Sequence, residues 1–92
     1  MLRDEKRRLE IVVLQRGWVV CGRTHLSEGM IIMDRGWVVR RWGTQAGLGQ
    51  LADEGPLQNT ILDPVPRPMR WSPVAEILRF ECSEDAWREM GA

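Results

Sequence analysis

Short runs of β-branched and aromatic residues, each cut off by glycine or proline, limit what this chain can fold into. Leu9–Gln15, Trp18–Arg23, Met30–Met33 and Trp37–Trp42 are such runs. They have strand length and strand composition. In the first run Leu9, Ile11 and Val13 share one face and Val12 and Leu14 the other, so both faces are expected to be covered. Arg16-Gly17 and Asp34-Arg35-Gly36 read as turns, and Thr24 to Gly29 as a polar hairpin loop. Thr60-Ile61-Leu62 adds a short strand. The stretch from Asp63 to Pro68 holds three prolines, whose missing donors bar it from the middle of a sheet. Met69–Trp71 reads as extended. Ser72-Pro73 resembles a helix start, but Leu78, Phe80 and Cys82 alternate, which favours a strand over Val74–Cys82.

Two helices are expected. Leu48, Leu51 and Ala52 fall on one helical face, Thr44 can cap its start, and Gly55-Pro56 ends it. This predicts a helix over about 45–54. Ser83 caps a short C-terminal helix over about 84–90, which Gly91 stops. The fold class is therefore mainly β: a small curled antiparallel sheet or partly open barrel of five or six strands, with one crossing helix. Residues 1–8 form a charged arm and residues 9–92 a single domain. Arg16-Gly17-Trp18-Val19-Val20 recurs as Arg35-Gly36-Trp37-Val38-Val39. Two copies do not make an array, which needs about three units; the echo predicts two similar strands entered from similar turns, with a duplicated half-site as the alternative.

Charge excludes some partners. The 92 residues carry 13 basic and 13 acidic side chains, a balance that argues against a bulk nucleic-acid binder. The distribution is uneven, because Arg16, Arg23, Arg35, Arg40 and Arg41 face only Glu28 and Asp34 between positions 16 and 44. No apolar run is long enough to span a membrane. The charged start lacks a leader's apolar region, so a cytoplasmic protein with free Cys21 and Cys82 is expected. Five tryptophans are a heavy load for a small core, and Trp is enriched at interfaces, so a homo-oligomer is expected.

Catalytic chemistry finds little support. His25 is the sole histidine, no Gly-x-Ser-x-Gly elbow occurs, and no metal-ligand spacing is present. Neither an enzyme nor a cofactor is expected. Gly47-Leu48-Gly49-Gln50-Leu51-Ala52 matches G-x-G-x-x-A, but the carboxylate needed about 20 positions later is absent and Arg67 stands there. The match is read as chance or as a shared local use of glycine.

The junction from Arg40 to Pro56 carries the remaining chemistry. A helix N-terminus offers unpaired N–H groups. Arg40 or Arg41 adds a bidentate fork, Thr44 adds a hydroxyl, and Trp42 or Trp37 offers a ring on which a base can stack. Gly47 and Gly49 weaken the helix by about 1 kcal/mol each, which close approach of a ligand would explain. The plainer alternative pairs an arginine with Asp53, Glu54 or Asp63, leaves Thr44 as a cap, and puts the tryptophans in the core.

The residues Arg16-Gly17-Trp18-Val19-Val20, Gly22-Arg23, Arg40-Arg41-Trp42-Gly43-Thr44, Gly47-Leu48-Gly49, Leu51-Ala52, Gly55-Pro56, Thr60 and Leu62-Asp63-Pro64 form a pattern. It resembles that of a family of small proteins encoded by tailed phages and prophages, which has no settled activity. The resemblance covers about residues 11–82. It implies a phage accessory protein that acts by binding. One such strategy is a homo-oligomeric sponge that sequesters a small anionic, cyclic nucleotide signal of host defence. The alternatives are a structural or protein-interaction module, such as a minor virion component or an inhibitor of a host protein, and a weak single-stranded nucleic-acid binder.

Overall fold

A computed structural model describes residues 7–88; most of the expected N-terminal arm therefore lies outside the described residues. The strands are β1 (Glu10–Leu14), β2 (Val19–Ser27), β3 (Met30–Arg41), β4 (Ile61–Val65), β5 (Met69–Trp71) and β6 (Glu76–Glu81), with one helix, α1 (Gly47–Glu54). They form an antiparallel, unclosed sheet in the order β4-β3-β2-β1-β6, and β5 pairs with the first part of β3. The mainly β fold with a crossing helix is thus as expected.

The β2–β3 hairpin is longer than the sequence suggests. The expected loop over 24–29 shrinks to a tight turn at Glu28-Gly29, both with positive φ. The expected turn at Asp34-Arg35-Gly36 is instead part of β3. Gly36 pairs with Gly22, while Thr24 pairs with Met33, so β3 carries an extra residue at this point. A bulge of this kind bends a strand without ending it. The glycine pair serves close approach: a Cβ on either one would overlap the Met33 side chain. Met33 is fully buried there. The Arg-Gly-Trp-Val-Val echo is therefore not a repeat in structure. Its first copy starts in a 3-10 turn with positive φ at Arg16 and Gly17 and enters β2 only at Val19, whereas its second lies wholly within β3.

Alternation along the strands builds two apolar clusters. Leu9, Ile11, Val19, Cys21 and Val39 pack with Leu48, Leu51 and Ala52 of α1 and with Cys82 and Trp87. Val12, Val20, Met33 and Trp71 form the second cluster. Helix α1 lies over β1 and β6. It begins at Gly47, two residues later than expected, and Gly55 follows it with φ 81 and an N–H bonded to the Leu51 carbonyl.

Ser72 and Pro73 start only a 3-10 turn, after which β6 runs as a strand. Residues 84–88 form turns where a helix was expected, and 89–90 lie outside the described residues. Tight docking against α1 shapes that segment. Ser83 N–H and the Trp87 indole both donate to the Ala52 carbonyl.

Candidate functional site

The strand-to-helix corner uses most of its polar atoms on itself. In β4, Asp63 stands opposite Val38, which brings its carboxylate to Arg40. Arg40 donates from Nε at 2.8 Å and from Nη2 at 3.2 Å to the two carboxylate oxygens. The hydrogen bond raises the Arg40 pKa and lowers that of Asp63. Thr44 does not cap α1: its hydroxyl donates to the Gly47 carbonyl at 2.7 Å. The Gln50 amide oxygen accepts instead from the N–H groups of Gln45 and Ala46, at 3.1 and 2.8 Å. The donors that a phosphate would need at the helix start are therefore partly covered.

The two glycines of the corner have different roles. Gly47 has φ +81, which glycine adopts without strain. A Cβ on Gly49 would only touch the Phe80 ring, at 4.0 Å. Trp42 is half exposed. Arg41 is exposed and has no ion pair among the described residues. The plainer pairing of Arg40 with Asp63 is thus the one the fold adopts.

A second cationic group gathers around a pocket of about 330 Å³ lined by Arg7, Leu9, Gly22, Arg23, Asp34, Arg35 and Trp37. Three separate segments meet there, and the β3 bulge supplies Asp34 and Arg35. Arg23 is fixed: it donates from Nη1 and Nη2 to the Glu84 carboxylate at 3.1 and 2.7 Å, and to the Arg7 carbonyl at 3.0 Å. Glu84 also accepts from Leu9 N–H at 3.1 Å. Arg7 Nη1 lies 3.7 Å from Asp34, and His25 Nδ1 lies 3.4 Å from the same carboxylate oxygen. Arg35 is exposed and has no ion pair among the described residues. Trp37 and Leu9 give the pocket an apolar side. Three guanidinium groups against Asp34 and Glu84 leave a cationic excess.

Sequence reasoning singled out Arg40 and Arg41 because they are adjacent and named Trp37 only as an alternative stacking ring to Trp42; it passed over Arg7, Arg23 and Arg35 as site residues because they are dispersed. The recurrent Arg35-Gly36-Trp37 was the available signal. Comparison of the chain with family models, curated proteins and solved structures finds no match.

Other chemistry can be placed too. Cys21 and Cys82 are free and buried. The hydrogen bond that the Cys21 S–H makes to Cys82, with desolvation second, pushes the Cys21 thiol far up, which removes it as a thiolate nucleophile. Among the described residues no three His, Cys, Asp or Glu side chains gather as a metal site, and no helix is long and apolar enough to cross a membrane.

The buttressing ion pairs predict an acid dependence. The Arg23 hydrogen bond holds the Glu84 carboxyl below its ordinary range. Arg79 does the same for Glu76, which also accepts from Trp71 Nε1. Carboxyls lowered in the folded state add stability above their unfolded pKa and lose that contribution as pH falls through the folded value. The urea midpoint is expected to hold above roughly pH 5 and to fall progressively below roughly pH 4.5. Glu84→Gln should flatten part of that slope. An unchanged slope in this variant would show that the Arg23–Glu84 pair does not contribute.

Proposed function

We propose that this protein is a non-catalytic, homo-oligomeric binding protein for a small anion with a planar body, of the mononucleotide or cyclic-nucleotide class. The reading keeps the sponge expectation, including a phage origin and a host defence signal as cargo, but moves the site from the Arg40 corner to the Arg35 pocket. The observation that carries it is an uncommitted Arg35 beside the anchored Arg23 and the Trp37 ring, around about 330 Å³. That volume is at the low end of ligand pockets, about 300–1,000 Å³. It suits one nucleotide unit. Arg35 can grip a phosphate with its fork, and Trp37 offers the apolar surface for a ring.

Isothermal titration with a panel of mononucleotides and cyclic nucleotides tests the reading, with native mass spectrometry reporting cargo per subunit. Arg35→Ala is expected to weaken binding about tenfold or more, the scale of a charged hydrogen bond. Trp37→Leu should weaken it comparably by removing stacking, whereas Arg40→Ala should leave it unchanged. If no member of the panel binds, the proposal fails. If Arg40→Ala alone abolishes binding, the site is the corner.

An interaction module remains the second reading, and one observation favours it. Trp18, Val74, Ile77 and Leu78 are all substantially exposed. Trp is enriched among the residues that anchor protein contacts, and exposed apolar surface marks interaction sites.

A further inference from the structure

The outer edges of the sheet differ in a way that selects a contact surface. Strand β4 carries Pro64 and is followed closely by Pro66 and Pro68, which blunt that edge against further pairing. Strand β6 forms the opposite edge and contains no proline. Its ladder to β1 is irregular only at Ile77, where the register shifts, and is regular from Leu78 to Glu81. Ile77 is 59% exposed and Leu78 44% exposed.

The register also gives the direction of each backbone group. Cys82 N–H donates inward to the Leu9 carbonyl. Backbone direction alternates along an antiparallel ladder, so Phe80 and Leu78 also face β1. Arg79 and Glu81 then turn their N–H and C=O outward, away from the sheet.

We infer that β6 pairs antiparallel with β6 of a second copy of this chain, about a two-fold axis at Phe80. It rests on the homo-oligomer half of the proposed function and names the surface. In this register Arg79 stands opposite Glu81 of the second copy, and by symmetry the same pair recurs across the axis. Both residues have outward backbone groups, so each pair exchanges two ladder bonds. Shifting the axis to Arg79 would oppose two arginines, and shifting it to Glu81 would oppose two glutamates; like charges directly opposite are unfavourable. Only the Phe80 register alternates charge.

The side chains agree with this register. The Phe80 rings of the two copies would adjoin on the α1 side of the sheet, where Phe80 already packs against the first apolar cluster. Arg79 is held on the other face by Glu10 and Glu76. Its backbone is thus set before any partner arrives. Among the described residues Glu81 has only an exposed pair with Arg8 at 3.7 Å, which is weak enough to yield. A contact that uses one patch on both subunits closes as a dimer and leaves no new edge of this kind.

Sedimentation velocity and light scattering over about 1–100 µM test the pairing. Wild type is expected to be dimeric. Glu81→Pro removes an outward N–H without touching the β1 ladder, so it should keep the far-ultraviolet circular dichroism of wild type and be monomeric across the range. Glu81→Arg should raise the dissociation constant at least about tenfold. Val74→Lys, on the exposed turn before β6, should leave the dimer intact. A wild-type monomer at the highest concentration would overturn both this surface and the homo-oligomer reading. An oligomer that survives Glu81→Pro, or one that Val74→Lys disrupts, would overturn the surface alone. Ligand binding, read separately through Arg35→Ala, bears on neither outcome.

Discussion

Replacing Trp87 with alanine is expected to cost about 3–5 kcal/mol, the scale of a large aromatic side chain removed from a core. Trp87 is fully buried and packs with Ile11, Leu51 and Cys82 in the first apolar cluster. Its indole N–H donates to the Ala52 carbonyl at 3.1 Å. One side chain thus joins the C-terminal turns, the end of α1 and the sheet. A domain of this size has a total stability of roughly 5–14 kcal/mol, so the variant would sit near the edge of folding. Urea denaturation of wild type and Trp87→Ala measures this. Trp87→Phe separates the two components: it retains most of the apolar volume and should lose about 1–3 kcal/mol through the unpaired carbonyl. A loss below about 1 kcal/mol in Trp87→Ala would mean that the C-terminal turns do not dock in solution.

Gly43→Ala is expected to be nearly as damaging, for a different reason. Gly43 has φ +69, and a Cβ built on it would overlap the backbone of Asn59 and Thr60. The left-handed backbone costs a non-glycine residue about 1–2 kcal/mol, and forced overlap adds about 1–3 kcal/mol. The backbone beside it has little freedom to retreat. Thr60 Oγ1 donates to the Trp42 carbonyl at 2.7 Å and accepts from Leu57 N–H at 2.9 Å. Gly17 is the control: it has φ +81 but nothing within 4 Å of its added Cβ. Gly17→Ala should therefore lose only the dihedral part, about 1–2 kcal/mol. Equal midpoints for the two variants in the same urea titration would show that the contact with Asn59 and Thr60 is unimportant.

The central sheet was legible because period-two patterns are local. Ile11 and Val12 declare opposite faces by adjacency alone, and Gly55-Pro56 marks the end of α1 wherever the helix packs. The β3 bulge was not legible. Asp34-Arg35-Gly36 looks like a turn in isolation, and the pairing of Gly36 with Gly22 across the hairpin keeps it within the strand. The Arg40 corner shows the same limit from the other side. Its residues suit an anion, and the sequence offered Asp63 as one of three carboxylates able to neutralise an arginine. Which carboxylate arrives is decided by the β3–β4 register, and that register is a tertiary fact. The Arg35 pocket was hidden because its walls come from three segments that approach one another only when the sheet is built.

The Glu84 clamp ties Leu9 to a residue 75 positions later, and β1 is held between β2 and β6. During synthesis the first strand must therefore wait, with one edge bare, until nearly all of the described chain has left the ribosome. Distant pairings of this kind slow folding and leave a nascent chain open to strand exchange with its neighbours. The cationic hollow is then among the last parts to take shape, so a truncated translation product would carry its arginines without the wall that Glu84 holds in place.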